Sequence, residues 1–350
     1  MNRYLLILSG LAIILISCTK EEWIENYESN LGLKKIATWK IQSPELVPHP
    51  RFSGVLHDGS LILVDLSLNT VNHFDRDGKF IKTFGREGRG PGEFSTISHA
   101  AIHPDGRVAV ADNRNARFVI HDVFKETIVT EYFRPGWNPQ LTWIKDGLVI
   151  TNYPFEIMSK HPGDILMHFY NAETRLKEQF LHLELESDRP PDQISCTFCD
   201  FKFQDDLTFF TTPQDTSYRI FRKNPTTKTV KVFTRSGGAP VKHSDSEIKA
   251  LKERAVRLVG NENYTPPTHK VRILDFFPDH EGRLWVLMNV YEGDTLYFDL
   301  FSPEAEYIGS IDMPDGAESI EFVSSDQVLF RYRSDDLDIW EAGLYMITEL

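Results

Sequence analysis

The stretch Pro104-Asp105-Gly106-Arg107-Val108-Ala109-Val110 joins a tight acidic-glycine turn to a short apolar run, and this unit recurs along the chain. Asp-Gly supplies the positive φ angles that a two-residue hairpin turn requires. The apolar run after it is typical of a strand buried on both faces. Related turns, each followed by a β-rich run, stand at six places: His57-Asp58-Gly59, Pro104-Asp105-Gly106, Lys145-Asp146-Gly147, Gln204-Asp205-Asp206, His280-Glu281-Gly282 and Ser325-Asp326-Gln327.

Six such units predict an all-β, six-bladed β-propeller. One sheet with two apolar faces cannot cover itself, whereas sheets stacked around an axis bury both faces of each neighbour. We expect a single propeller domain over residues 33–350. Ring closure is predicted to pair the segment from Lys35 to Ile41 with the last blade near Leu344 to Ile347.

The longest gap between turns, before His280, carries a helix pattern. Ser244-Asp245-Ser246-Glu247 has the form of a capping box, in which Ser and Glu satisfy backbone donors reciprocally. The apolar residues that follow fall near one helical stripe: Ile248, Leu251, Ala255, Leu258 and Val259. One short helical insertion is therefore expected over about 245–259, either as a cover for blade edge or as a gate for a ligand.

Two segments resemble a known repeat family. Val110-Ala111-Asp112-Asn113-Arg114-Asn115-Ala116-Arg117-Phe118-Val119-Ile120-His121-Asp122 resembles the NHL repeat, with His121 in place of the usual Phe. Residues 74–80, leading to Gly85-Arg86-Glu87-Gly88-Arg89-Gly90-Pro91-Gly92, resemble the turn and inter-blade loop of NHL-like six-bladed propellers of Bacteroidetes lipoproteins. The resemblance covers about residues 51–135 and implies the fold. It does not imply an activity, because propellers host many unrelated ones.

The amino-terminal residues predict export and lipid attachment. The apolar run from Leu5 to Ile16 is shorter than the roughly 20 residues of a membrane-spanning helix, so residues 1–17 are expected to be a cleaved signal peptide. Leu15-Ile16-Ser17-Cys18 resembles the bacterial lipobox, which implies lipidation of Cys18 and a tether over residues 18–32; an ordinary signal peptide is the alternative. Thr19-Lys20-Glu21-Glu22 resembles the export signal of surface lipoproteins. We expect an outer-membrane lipoprotein exposed at the cell surface, with a periplasm-facing position as the alternative.

The net charge of −13 limits the partners of this chain. No Lys/Arg stripe interrupts the acidic balance, so nucleic acid and anionic membrane faces are poor partners. Membrane contact is expected through the lipid anchor only.

Cys196 and Cys199 are the other two cysteines. In an oxidising compartment they are expected to form a small disulfide if the segment turns, or to remain buried thiols. Redox or metal work is the alternative, although a zinc site needs two further ligands and a redox motif normally opens a helix.

Motifs for catalysis are incomplete. The glycines from Gly85 to Gly92 lack a Gly-Lys-Ser/Thr ending and a following helix, and Asp75-Arg76-Asp77-Gly78 lacks the distal Glu of a calcium loop. No Gly-x-Ser-x-Gly or His-Glu-x-x-His occurs. Some NHL-type lyases hold a metal through channel histidines, and only His99 has such a place here. The sequence therefore predicts no catalytic residue, metal or cofactor.

The strand before each acidic turn is the innermost of its blade, so its polar side chains should face the axial channel. The residues predicted to line the channel mouth and bind a ligand are Arg51, His99, Thr142, Asp200, Lys202, Arg272, Asp275 and Glu321. Trp137 is expected in a loop of turn-forming residues, where its ring could contact a sugar or partner, and Trp285 in the core.

These observations favour a non-enzymatic module that binds a small polar ligand, a glycan or a protein. The alternatives are a metal-dependent lyase or hydrolase with its site in the channel, and an accessory glycan-binding protein of a surface uptake system.

Overall fold

The computed structural model describes residues 31–132, 136–144, 147–154, 165–171, 177–183, 201–204, 207–212, 218–235, 242–259, 262, 264–270, 272–279, 281–288, 296–324, 326–334 and 339–349. In these residues, 24 strands form six antiparallel sheets of four strands each, as predicted. Each sheet is one blade, and its strands follow one another in chain order except in the last blade, which the first strand completes.

The strands of the first three blades follow directly along the chain. Blade 1 contains β2 (Pro50–Val55), β3 (Leu61–Asp65), β4 (Thr70–Phe74) and β5 (Phe80–Phe84). Blade 2 contains β6 (Ile97–Ile102), β7 (Arg107–Asp112), β8 (Arg117–Asp122) and β9 (Thr127–Tyr132). Blade 3 contains β10 (Gly136–Ile144), β11 (Gly147–Pro154), β12 (Ile165–Asn171) and β13 (Lys177–Leu183).

The remaining blades complete the ring. Blade 4 contains β14 (Lys202–Phe203), β15 (Phe209–Thr211), β16 (Arg219–Asn224) and β17 (Thr229–Thr234). Blade 5 contains β18 (Ile273–Pro278), β19 (Leu284–Met288), β20 (Tyr297–Phe301) and β21 (Tyr307–Asp312). Blade 6 contains β22 (Ala317–Phe322), β23 (Gln327–Ser334), β24 (Ile339–Glu349) and, on its outer edge, β1 (Leu31–Lys40).

In the chain, the acidic turn sequences stand between the first and second strands of each blade, and those of blades 1 and 2 are described in full. In blade 1 the turn closes where Leu56 N donates to the carbonyl of Ser60 at 2.8 Å, and Gly59 has a φ of +80°. The second strands are deeply buried: all five residues of β3 are buried, and Trp285 on β19 is 0% exposed. The predicted core position of Trp285 is therefore confirmed.

The ring closes by pairing β1 with β24. Lys35 faces Tyr345 and Lys40 faces Glu341 in an antiparallel register that runs back to Leu31 opposite Glu349. Apolar side chains of the closing blade pack against blade 1, where Trp39, Leu61 and Leu329 share one buried cluster. The predicted closure is thus found, and it brings blades 6 and 1 into direct contact at what we call the seam.

The insertion between blades 4 and 5 contains a helix, α1 (Asp245–Val259). Its capping box is formed: Ser244 N donates to Glu247 Oε2 at 2.8 Å, and Glu247 N donates to Ser244 Oγ at 3.3 Å. The predicted helix is confirmed at both ends. None of the described helices is long and apolar enough to cross a membrane.

The prediction that Trp137 lies in a loop is wrong. Trp137 lies on β10, where its backbone pairs with Tyr153, and the register shifts between Trp137 and Gln140. Asn138 and Pro139 fall within this irregularity, which accommodates a residue that has no N–H to donate. The side chain of Trp137 lies outside the described part of the structure.

Candidate functional site

The first strands of the blades surround the axis, and those of adjacent blades are in contact: β2 lies against β6, β6 against β10, and β14 against β10 and β18. Six of the predicted site residues are on these strands, one from each blade: Arg51, His99, Thr142, Lys202, Asp275 and Glu321. Arg51 is exposed, and the other five are partly buried. The structure therefore gathers at the axis residues that are far apart in sequence.

Lys202 of blade 4 is central to this group. Its Nζ lies 3.5 Å from Asp275 Oδ1 and 4.8 Å from the centre of the Phe277 ring, both on the first strand of blade 5. The charge of Lys202 also acts on His99 and Glu321, which belong to blades 2 and 6. The ammonium group of Lys202 on blade 4 thus interacts electrostatically with residues of blades 2, 5 and 6.

His99 is held as a neutral ring. Its Nδ1 accepts a hydrogen bond from Leu141 N at 3.2 Å, and the Phe52 ring lies 4.8 Å away. Burial, assisted by the positive charges of Lys202 and Arg51, lowers the pKa of His99 to about 3. Although a little of its surface remains open, the ring is enclosed by protein and carries no charge near neutral pH.

Glu321 shows the opposite shift. Burial raises the pKa of its carboxyl group to about 7, although Arg331, Lys202 and the backbone N–H of Ser53 favour the charged form. Ser53 belongs to β2, so this hydrogen bond crosses the seam. A carboxyl group that gains and loses its proton near neutral pH faces the channel here.

Arg272 takes part in a different group, between blades 4 and 5. It precedes β18, and its electrostatic neighbours include Arg235 and Asp299. Asp299 is fully buried, and both of its oxygens accept from Arg235 Nη1 at 2.8 Å, while Tyr218 Oη donates to Oδ2 at 3.0 Å. This group is internally paired. The predicted residues Cys18, Cys196, Cys199 and Asp200 lie outside the described residues.

The seam contains residues that the sequence analysis missed. Arg331 on β23 is 2% exposed, and its Nε and Nη1 have no hydrogen-bond partner among the described residues. Ser319, paired with it across the ladder, and Ser53 on β2 each have a buried hydroxyl that is also unpartnered. We call Ser53, Ser319, Glu321 and Arg331 the seam cluster.

A recess of about 290 Å³ opens next to this cluster, at the end of the propeller where the first strands begin. Its lining residues come from both sides of the seam: His49, Pro50, Arg51, Leu66, Glu318 and Trp340. The Arg331 guanidinium lies over the Trp340 ring, 5.4 Å from its centre, and its charge interacts with those of Glu318 and Arg51. Arg331 is not itself part of the recess wall, but it is next to that wall through Trp340 and Glu318.

Blade 2 contains a second buried arginine, Arg117, which is 3% exposed. Its Nε donates to Asp112 Oδ2 at 3.2 Å, its Nη1 to the carbonyl of Arg89, and its Nη2 to those of Gly90 and Glu93. These contacts fasten the glycine-rich segment from Gly85 to Gly92 to blade 2, in agreement with its predicted role as a blade connection.

Among the described residues, no three His, Cys, Asp or Glu side chains are grouped so that they could hold a metal ion.

Comparisons with known proteins agree with this architecture. Residues 54–132 match the model of the family DUF5128, a 6-bladed beta-propeller. A candidate exported protein of Bacteroides fragilis aligns at 12% identity, over 93% of this chain and 98% of that one, with a TM-score of 0.56. A DUF4221 family member from Bacteroides vulgatus aligns at 11% identity, over 91% and 99%, with a TM-score of 0.57. No curated protein matches.

The fold and these comparisons together define the chain as a six-bladed β-propeller. At identities of 11–12%, the two solved structures support the fold and carry no information about what is bound.

Proposed function

We propose that this chain is an extracytoplasmic, lipid-anchored propeller that binds a small polar ligand at its axial channel. The observation that carries the proposal is the convergence of Lys202, His99 and Glu321 from three blades, with the pKa of His99 lowered to about 3 and that of Glu321 raised to about 7. Groups with strongly shifted pKa values in a concave site are candidates for ligand contact.

The polar groups differ in what they offer a ligand. Lys202 supplies a cation that is paired with Asp275 at 3.5 Å, and neutral His99 supplies a ring nitrogen. Glu321 supplies a donor when protonated and an acceptor when ionised. A small molecule with both charged and neutral polar groups fits this set.

Binding is tested by isothermal titration of the purified protein with three small probes, sodium L-lactate, L-lactamide and ethanolamine. We expect at least one to bind, and Lys202→Ala to weaken it at least about tenfold, as expected for loss of a charged hydrogen-bonding group. Lys79→Ala, in the exposed turn of blade 1, is the matched control and should bind as the parent does. Absence of binding by all three probes, or equal binding by Lys202→Ala, would contradict a channel site.

Lipid anchoring is tested separately. The lipobox-like sequence before Cys18 supports it, and one protein of the same fold is a candidate exported protein. Cys18→Ser should abolish incorporation of radiolabelled palmitate, and protease added to intact cells should digest the parent protein if it is surface-exposed. Labelling that persists in Cys18→Ser would refute the assignment of the anchor.

A further inference from the structure

Unsatisfied buried polar atoms are concentrated at the seam. Four such atoms lie there on three residues: Ser53 Oγ, Ser319 Oγ, and Nε and Nη1 of Arg331. Buried polar groups in folded proteins are nearly always paired, and leaving a charged donor unpaired is especially unfavourable. A group of donors gathered at one place and adjoining a recess is therefore organised to receive an acceptor from outside the chain.

The donors specify the chemistry of that acceptor. A guanidinium presents parallel N–H groups that match the two oxygens of a carboxylate, and the Nε and Nη1 of Arg331 provide such a pair. The two serine hydroxyls can donate to the same group or exchange hydrogen bonds with a ligand hydroxyl. The cluster thus suits an oxyanion that carries a hydroxyl group nearby.

The charges around the recess select a monoanion. Arg331 and Arg51 are cationic, whereas Glu318 is an acid on the recess wall and Glu321 lies within the cluster. Below about pH 7, where Glu321 is mostly protonated, the two arginines and Glu318 leave one positive charge to be balanced. A dianion such as sulfate would add a second negative charge, which none of these groups balances.

The size of the recess sets a limit on the ligand. Its volume of about 290 Å³ lies at the lower end of the range for ligand pockets, and the Trp340 and Leu66 side chains make part of its wall apolar. A compound of a few carbon atoms, with the acid group directed toward Arg331, fits this shape.

We propose that the seam cluster binds the carboxylate of a small hydroxylated monocarboxylic acid, which enters through the recess and pairs with Arg331. The inference rests on the proposed ligand-binding function and assigns its ligand class and its anchoring residue. The inference adds Arg331, which lies on the second strand of blade 6, to a site whose other residues lie on first strands.

The test compares the binding of sodium L-lactate, L-lactamide and sodium sulfate by the purified protein in isothermal titration at pH 6. L-lactate is expected to bind at least about tenfold more tightly than L-lactamide, which lacks the charge, and than sulfate. Arg331→Met should remove this preference. Arg107→Met is the matched control, because Arg107 also lies over a tryptophan, 4.7 Å from the ring centre of Trp143, at the opposite end of the propeller.

A milder variant guards against loss of folding. Ser53→Ala removes one hydroxyl and should weaken lactate binding several-fold with an unchanged circular dichroism spectrum. Equal lactate binding by the parent and a folded Arg331→Met, or tighter binding of sulfate or L-lactamide than of lactate, overturns the inference while leaving a ligand-binding propeller in place. Failure of every probe, ethanolamine included, overturns the proposed function itself.

Discussion

Arg117 in blade 2 and Arg331 in blade 6 are buried equally deeply, at 3% and 2% exposure, but are held in opposite ways. Every guanidinium nitrogen of Arg117 donates to an oxygen of the chain, whereas Nε and Nη1 of Arg331 have no partner in the described residues. The first arginine therefore stabilises the fold, and the second costs stability. Burial alone therefore does not distinguish a structural arginine from a functional one. The hydrogen-bond partners of the guanidinium nitrogens do distinguish them.

The largest effect is expected for Arg117→Met. This change leaves the fully buried Asp112 without its guanidinium and frees the carbonyls of the glycine-rich segment, so the free energy of unfolding should fall by about 3–5 kcal/mol. Urea unfolding measures it. A loss below about 1 kcal/mol would mean that the hydrogen-bond network around Arg117 contributes little to the fold.

The carboxyl group beside Arg331 gives the next largest effect. Since the pKa of Glu321 is raised to about 7 from an ordinary value near 4.5, the folded protein binds the extra proton between these values. The proton bound by Glu321 stabilises the folded protein at low pH. This contribution is lost as the pH rises from about 4.5 through 7, so the free energy of unfolding falls by about 2–3 kcal/mol.

Glu321→Gln has no such proton to lose. The unfolding free energy of this variant minus that of the parent should therefore increase by about 2–3 kcal/mol between pH 4.5 and 8, as measured by urea unfolding at several pH values. Other groups, including His99, contribute equally to both proteins and cancel. A difference that stays constant with pH would show that folding does not raise the pKa of Glu321.

Arg331→Met should behave unlike its counterpart in blade 2. Replacing an incompletely paired buried charge by an apolar side chain is often neutral or stabilising, so we expect a change between zero and a gain of about 1–2 kcal/mol. Thermal and urea unfolding of the ligand-free protein measure it. A loss as large as that of Arg117→Met would remove the distinction between the two arginines.

Two buried serines of blade 1 differ in the same way as the two arginines, and the smallest effects are expected for them. Ser60 is 3% exposed and its Oγ contacts Asp58 Oδ1 at 2.6 Å and His73 Nε2 at 2.8 Å, whereas Ser53 is 1% exposed with an unpartnered hydroxyl. Ser60→Ala should lower the free energy of unfolding by about 1–2 kcal/mol, and Ser53→Ala should leave it nearly unchanged. Urea unfolding of both variants tests this, and equal losses would contradict it.

The sequence predicted most of the fold because the turn chemistry is local. Asp-Gly turns followed by buried strands repeat often enough to count the blades, and Ser244 with Glu247 marked the start of α1. The exception was Trp137, since proline and glycine neighbours suggest a loop and only the pairing with Tyr153 shows that a strand with an irregularity accommodates them.

The candidate site was predicted in part. First strands could be recognised by their place before each turn, which identified Lys202, His99 and Glu321. Arg331 was missed because it lies on a second strand, where the repeat is otherwise apolar. A charged residue at an otherwise uncharged repeat position is the signal that could have identified Arg331. Arg331 is the fourth residue after the one whose carbonyl closes the turn of blade 6. The same position in four other blades is uncharged: Val64, Ala111, Thr212 and Leu287. What no single strand reveals is that Arg331 of blade 6 lies close enough to Arg51 of blade 1 for their charges to interact.

The direction of β1 determines which end of the propeller receives the preceding chain. The chain enters at Leu31, opposite Glu349, and the nearby Ile347 N donates to the carbonyl of Asp326 in the turn of blade 6. The recess opens at the other end, beside Pro50 and Trp340. The chain that precedes β1 therefore joins the propeller at its turn-bearing end, and the recess beside Trp340 opens at the end away from that junction.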